Sequence, residues 1–206
     1  MRKIFISYGD DSFKKSLKRI GKEAKMLGLF DKIILYSPND LPAYIKTSPL
    51  MAFNRGGGYW AWKPYLIWKT LQQYGNDSIV VYVDAGCTLH QSDDWKLYFE
   101  NMNKYDTIVF KYRDDVDYPW FNAYHCNSIQ IKDWTKKNTL LYFDNLFGNQ
   151  QWRHFNKIWG GFIIVKSINN KLINQWLNIT LLSPKLIIDP YGNELEDQYD
   201  FFVEHR

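Results

Sequence analysis

The sequence predicts an α/β fold: a single-domain, Rossmann-like arrangement with a central, mostly parallel β-sheet flanked by helices. Three observations carry this. Strand and helix patterns alternate along the chain, the strands are short, apolar and nearly uncharged, and glycine or proline marks most boundaries. Residues 79–84 give the clearest strand, because the run holds one charge and that charge is its last residue, Asp84. Such a run suits a strand covered on both faces. The 206 residues, 46% of them apolar, suffice for one well-formed α/β domain with a sizeable core and are few for two.

Residues 3–8 read as the first strand, and Gly9-Asp10-Asp11-Ser12 ends it with side chains able to cap a helix. That helix is expected over residues 13–27, with Leu17, Ile20, Ala24 and Leu27 on one face and Gly28 as its stop. A strand at 32–36 completes a β-α-β unit, the building block of a parallel sheet. Residues 37–58 hold Pro38, Pro42, Pro49 and three successive glycines, which predicts loop with at most one short helix. A helix at 59–74 follows, where Pro64 is tolerable only near the first turn. Beyond the Asp84 strand come a helix around 94–102, a strand at 107–112 and an irregular aromatic stretch at 113–128. A strand edge at 128–131, a helix at 132–147, a buried strand at 160–165 and a helix at 168–182 complete the pattern, before a polar tail from Asp189. No repeat or linker interrupts it, so residues 1–206 are expected to form one domain.

Composition narrows the ligand. Aromatic residues make up 18%, with nine Trp, fifteen Tyr and thirteen Phe. This exceeds what core filling requires, and Tyr and Trp suit surfaces that stack on rings and bond to hydroxyls, so a sugar or nucleotide fits better than an apolar ligand. A net charge of +4 is too small to select a polyanionic partner, and no nucleic-acid motif is present, so nucleic acid is not an expected partner. Lys14, Lys15, Lys18, Arg19, Lys22 and Lys25 recur at helical spacing; they read as a solvated helix face or as a peripheral contact for a membrane or polyanion. Cys87 and Cys126 match no metal or redox spacing, and His90, His125, His154 and His205 show no ligand spacing. Met1 leads directly into charge and a strand, and no run approaches a membrane span, so a soluble cytoplasmic protein is expected. The oligomeric state is left open. No Gly-x-Ser-x-Gly elbow is present, against a serine esterase.

Four segments carry possible chemistry. Asp84-Ala85-Gly86 places a carboxylate at a strand end, where open α/β sheets bind ligands, or it begins a turn in which Gly86 supplies a positive φ. Arg55-Gly56-Gly57-Gly58-Tyr59-Trp60-Ala61-Trp62-Lys63-Pro64 lets backbone approach a ligand at a helix start, with two flanking cations suited to a diphosphate; the alternative is a flexible loop with both cations solvated. Trp159-Gly160-Gly161-Phe162 opens a buried strand, reading either as close ligand approach or as packing beneath a Trp. Asp115-Val116-Asp117 can share a divalent cation or form a solvated loop.

The Arg55–Pro64 segment, followed some twenty residues later by Val81-Tyr82-Val83-Asp84-Ala85-Gly86-Cys87, resembles a family of GT-A type glycosyltransferases. These are mostly capsule and surface-polysaccharide enzymes of bacteria and some large viruses. Lys132-Asp133-Trp134-Thr135, Trp159-Gly160-Gly161-Phe162 and Gln175-Trp176-Leu177 look like that family too, so the resemblance covers nearly the whole chain. It implies a nucleotide-sugar donor, UDP-sugar favoured, a glycan or glycolipid acceptor, and Mn2+ or Mg2+ on the diphosphate. Ser7 and Tyr8 would lie against base and ribose, Arg55 and Lys63 would face base or diphosphate, and Tyr82, Asp84, Ala85 and Gly86 would line the donor. Asp84 would be the metal-binding carboxylate, and Trp159, Gly160 and Gly161 the loop near the acceptor.

The sequence departs from that pattern twice. Gly86 stands where such enzymes carry a second carboxylate, which weakens the expected metal grip. The chain also stops at Glu204-His205-Arg206, where similar proteins continue with His-Asp-Gln-Ser. Either the domain is truncated, which is the favoured expectation, or Glu196-Asp197-Gln198 does that segment's job here; Asp197, Glu196 and Asp84, in falling order, are the candidate carboxylates for proton transfer. A non-catalytic nucleotide-sugar or glycan-binding module is the alternative, and inverting or retaining stereochemistry stays open.

Overall fold

The computed structural model of the chain describes residues 1–118, 121, 123 and 128–204; His125, Cys126, His205 and Arg206 lie outside them. Its strands are β1 (Arg2–Tyr8), β2 (Lys32–Tyr36), β3 (Ser78–Val83), β4 (Thr107–Lys111) and β5 (Ile158–Lys166). The longer helices are α1 (Lys14–Leu27), α2 (Trp62–Tyr74), α3 (Asp94–Asn101), α4 (Lys137–Phe147) and α5 (Lys171–Leu182). The strands form one sheet in the order β2-β1-β3-β5-β4. β1 runs parallel to both neighbours, with Ile6 opposite Ile34 on β2 and Tyr82 on β3. β5 joins antiparallel to β3, pairing Val81 with Ile164. The protein is therefore α/β with a mixed sheet, parallel through β2-β1-β3 and reversed where β5 enters.

All six β3 positions are buried, as their composition predicts. Alternation along the strands divides the core into two apolar layers. Val80 and Tyr82 share a face with Ile4, Ile6, Tyr8, Ile163 and Val165, packed against Leu66, Ile67 and Leu71 of α2 and Ile173 and Leu177 of α5. Ile79, Val81 and Val83 turn the other way, with Phe5 and Ile164, onto Ile20 and Ala24 of α1 and Trp95 of α3. Each buried Val, Ile or Leu side chain contributes about 1.5–3 kcal/mol, so these layers hold the sheet. Among the described residues, no helix is long and apolar enough to cross a membrane.

Contacts group the chain into two compact units: Met1–Phe110 with Gly160–Leu182, and Lys111–Trp159 with Ser183–Arg206. No linker or repeat in the sequence marks the division between them. In the first, α1 stops as expected at Gly28, which takes a left-handed conformation and donates its N–H to the Lys25 carbonyl. Its start differs from expectation. Asp10 Oδ1 accepts the backbone N–H groups of Ser12 (2.9 Å) and Phe13 (3.2 Å), while Phe13 occupies the cap position without a side-chain bond.

Residues 37–60 are more structured than predicted. Pro38 and Pro49 open short 3-10 turns (Pro38–Asp40 and Pro49–Ala52), and Pro42 precedes a one-turn helix, Ala43–Lys46. Leu41, Ile45 and Leu50 are buried there. Proline starts such turns well because its φ is preset and its missing N–H would be unpaired anyway. Turns this short carry no periodicity long enough to read.

In the second unit, the expected helix at 132–147 is split. A 3-10 turn, Ile131–Trp134, precedes α4, and Lys136 between them is extended (φ −62°, ψ 153°). Trp134 is wholly buried, with its Nε1–H donated to the Ser128 carbonyl at 2.9 Å. The expected strand edge reduces to one bridge, Gln130 with Asn156. Arg153, buried, grips Asp144 through Nε (2.9 Å) and Nη2, and buried Lys136 pairs with Glu194 at 3.2 Å.

Gly56 to Trp60 all have positive φ, making a left-handed turn in which Tyr59 (51°) and Trp60 (55°) are not glycine. Gly58, at φ 93°, tolerates no side chain, because a Cβ would strike the Met51 sulfur and approach Met51 Cα to 2.9 Å. Gly58→Ala is expected to lower unfolding free energy by about 1–3 kcal/mol, read as a lower urea midpoint with unchanged slope. A loss under about 0.5 kcal/mol would mean that the turn relaxes freely.

Candidate functional site

Because Ile6 pairs with Tyr82, the parallel register brings Tyr8 level with Asp84 at the carboxyl ends of β1 and β3. Ligands of open α/β sheets bind at such strand ends. The Tyr8 and Trp62 rings stack with centroids 3.9 Å apart and planes 23° from parallel. Trp62 is held by its Nε1–H, donated to the Gly56 carbonyl at 3.3 Å. These rings, with Asp10, Trp60, Asp84 and Gly86, line a cavity of about 450 Å³, within the size range of small-molecule sites. All of these residues belong to the first unit.

Behind Asp84 lies a buried ion pair. Lys63 Nζ donates to Asp84 Oδ1 and to the Gly160 carbonyl, both at 2.9 Å. The Tyr82 hydroxyl donates to the same Asp84 Oδ1, and Asp84 N–H donates to the Gly161 carbonyl at 2.9 Å. The pair is one-sided: the Lys63 side chain is 5% exposed and that of Asp84 34%. The cation is sealed in protein while the carboxylate faces the cavity. Burial lowers the Lys63 pKa below its ordinary 10.5, and the charge and hydrogen bond of Asp84 oppose that shift. Burial, reinforced by Asp84, raises Tyr82 well above 10, keeping its phenol a donor. Tyr8 is pushed up to about 12 by burial and then by the charges of Asp10 and Asp40.

The loop leaving β3 is held by a residue that the sequence placed on a solvated face. Lys14, Lys15, Lys18, Lys22 and Lys25 are exposed as expected, but Arg19 is half-buried. Its Nη2 donates to the carbonyls of Ala85 (3.1 Å) and Cys87 (2.8 Å), and its Nη1 to Glu23 Oε1 (2.6 Å). Glu23 Oε2 in turn accepts the Leu89 N–H at 3.0 Å. Arg19 thus ties α1 to the carbonyls on both sides of Gly86. Nothing in a basic helical run distinguishes one such Arg from its solvated neighbours.

The remaining predicted residues are placed as follows. Ala85 is buried, and Gly86 lines the cavity without a positive φ; a Cβ built on it meets no atom within 4 Å. The turn at Asp84 exists, closed by Cys87 N–H on the Asp84 carbonyl at 2.9 Å, but it does not require glycine. Ser7 is wholly buried and, by strand alternation, faces away from Tyr8; its hydroxyl has no hydrogen-bond partner among the described residues. Arg55 stands with its guanidinium 5.8 Å from the centre of the Tyr59 ring. Trp159, Glu196 and Asp197 belong to the second unit, where Asp197 pairs with Lys137 at 2.7 Å and Glu196 ends a one-turn helix, Asn193–Glu196. Asp115 forms an exposed ion pair with Arg113, the solvated-loop alternative for its motif. Trp60 and Trp62 were named only as members of the Arg55–Pro64 segment and Asp10 only as a helix cap, not as ligand-site residues; the position of Asp10 two residues past β1 was the available signal.

A hard divalent cation takes about six or more oxygen ligands, carboxylates prominent among them. The cavity offers Asp10 and Asp84, yet Oδ1 of each is already engaged, by two backbone N–H groups and by Lys63 with Tyr82 respectively. Among the described residues, no group of three or more His, Cys, Asp or Glu is placed to hold a metal ion. These residues do not fit a protein-held Mn2+ or Mg2+. No protein-family model and no curated protein sequence matches the chain.

Removing one partner of a buried pair strands the other charge. Asp84→Ala is therefore expected to cost about 3–5 kcal/mol at neutral pH, with Asp84→Ala/Lys63→Met recovering much of it. A folded-state pKa below 10.5 means that the unfolded chain binds the Lys63 proton where the folded chain does not. Stability from this group accordingly rises as pH climbs toward 10.5. Asp84→Ala removes what opposes the lowering, so its deficit relative to wild type should shrink as pH is raised. Urea titrations across the alkaline range check this; a deficit constant with pH would reject it.

Proposed function

We propose that the first unit grips a nucleoside-diphosphate sugar, UDP-sugar favoured, and that the chain is a GT-A type glycosyltransferase. It would pass the sugar to a glycan or glycolipid acceptor in surface-polysaccharide or glycoprotein glycan synthesis. The observation that carries this reading is the cavity itself: an aromatic stack, Tyr8 on Trp62, faces a carboxylate, Asp84, at the ends of two parallel strands. Flat rings suit a base or sugar face, and an ionised carboxylate accepts hydroxyl hydrogens. Asp10, lining the same cavity, adds a second acceptor for ribose or sugar hydroxyls.

In the transfer, the bond between the sugar C1 and the diphosphate oxygen breaks, and its electron pair leaves with the nucleotide. The acceptor oxygen bonds to C1, and its proton passes to a base. Asp197, then Glu196, are the carboxylates that the sequence offers for that role. The site's electrostatic task is to hold an anionic leaving group. Gly86 beside Asp84, and the glycine turn across from it, leave backbone open to the approaching diphosphate.

A panel of UDP- and GDP-sugars, with and without Mn2+, is expected to yield free nucleotide with at least one donor. Trp62→Ala should weaken donor binding by roughly tenfold or more, the loss of one stacked base. Gly86→Val should do likewise, while its unfolding free energy stays within about 0.5 kcal/mol of wild type. Binding without release of nucleotide for every donor would identify the non-catalytic module, and absence of any nucleotide binding would reject both readings.

A further inference from the structure

The ion pair behind Asp84 has a consequence for how a donor would be held, and it rests on the nucleotide-sugar reading above. We infer that Lys63 is the resident cation of this site, and that Asp84 acts as a hydrogen-bond acceptor for a donor hydroxyl, not as a metal ligand. Donor binding then needs no divalent ion.

Three observations converge. The Lys63 ammonium sits 2.9 Å from Asp84 Oδ1 and is anchored from behind by the Gly160 carbonyl at 2.9 Å. A metal bridging Asp84 to a diphosphate would place a divalent charge next to a buried ammonium whose side chain is only 5% exposed. Like charges at that range repel strongly in a poorly hydrated setting. The Tyr82 hydroxyl donates to the same oxygen, so Oδ1 has two donors and the remaining oxygen, Oδ2, is the acceptor left for a ligand.

Gly86 supplies the third observation. Its φ is not positive, and a Cβ there would meet nothing within 4 Å. Neither backbone geometry nor packing keeps a carboxylate out of this position. Its absence lowers negative charge in the cavity, and Lys63 neutralises the one carboxylate at this strand end. A diphosphate can then approach Asp84 without a metal to offset carboxylate repulsion. Tyr82, buried in the core layer that packs on α2, fixes the hydroxyl that completes the arrangement.

Two measurements on the full chain decide this. The first is a titration with Mn2+ alone, followed by electron paramagnetic resonance. The expected result is no site tighter than about 1 mM; a tighter site that Asp84→Asn abolishes would overturn the inference. The second is calorimetric binding of UDP and of GDP in EDTA and in Mn2+. The expected dissociation constant for whichever nucleotide binds differs by less than about threefold between the two buffers, and a larger tightening by Mn2+ would overturn the inference. If neither nucleotide binds in either buffer, the nucleotide-sugar reading fails and the donor half of this inference fails with it. The Mn2+ titration still settles whether Asp84 holds a metal.

Discussion

The buried ammonium of Lys63 is the constraint around which the rest of the first unit is arranged. An unpaired charge at that depth costs several kcal/mol, so the helix that carries it packs where partners meet that charge. Two come from different strands: the Asp84 carboxylate just beyond β3, and the Gly160 carbonyl within β5. The backbone link from Asp84 N–H to the Gly161 carbonyl makes the same join again. One side chain on α2 thereby bonds at once to the residue that follows β3 and to β5, and holds the Asp84 carboxylate in place. Tyr82 adds a donor from inside the core layer, and its own burial keeps that donor protonated.

The opposite wall of the cavity rests on strain. Tyr59 and Trp60 occupy left-handed backbone, at roughly 1–2 kcal/mol each, and they do so between three glycines and the start of α2. The turn places the Gly56 carbonyl where it accepts the Trp62 indole N–H, which orients the ring that stacks on Tyr8. Tyr59 and Trp62 are both buried, and that burial offsets the backbone cost. Strain of this kind persists only where surrounding packing holds it, and it concentrates at ligand sites. Here it aligns an aromatic surface with a carboxylate whose charge is already balanced.

Much of this was legible in the sequence, and the failures have physical causes. The β-α-β opening, the fully buried β3 and the stop at Gly28 follow from periodicity and composition, which act locally. Asp84 was visible because a lone charge closes an apolar run. The reversal at β5 was not, since strand direction depends on where the chain returns and not on the strand's own residues. Arg19 and Lys63 show the sharper limit. Both are ordinary basic residues on helices, and only tertiary placement makes one a clamp on the Ala85 and Cys87 carbonyls and the other a buried counter-ion. Ser7 was misplaced for a simpler reason: adjacent strand residues face opposite ways, so it cannot share the cavity with Tyr8.

The same geometry separates two properties that a sequence motif merges. A strand-end Asp followed by a small residue and a second carboxylate implies both donor recognition and metal binding. In this chain Gly86 stands at the second position and Asp84 is paired from behind, so on the proposed reading recognition through hydroxyl acceptance would survive where metal ligation loses its basis. The aromatic stack, Asp10 and Asp84 lie entirely within the first unit, whereas Glu196 and Asp197 lie in the second, with Asp197 engaged by Lys137. On the nucleotide-sugar reading proposed above, donor affinity would be a property of the first unit's own packing. A transferase and a binding module would share that grip, and they would differ only in whether a base is supplied to the acceptor hydroxyl.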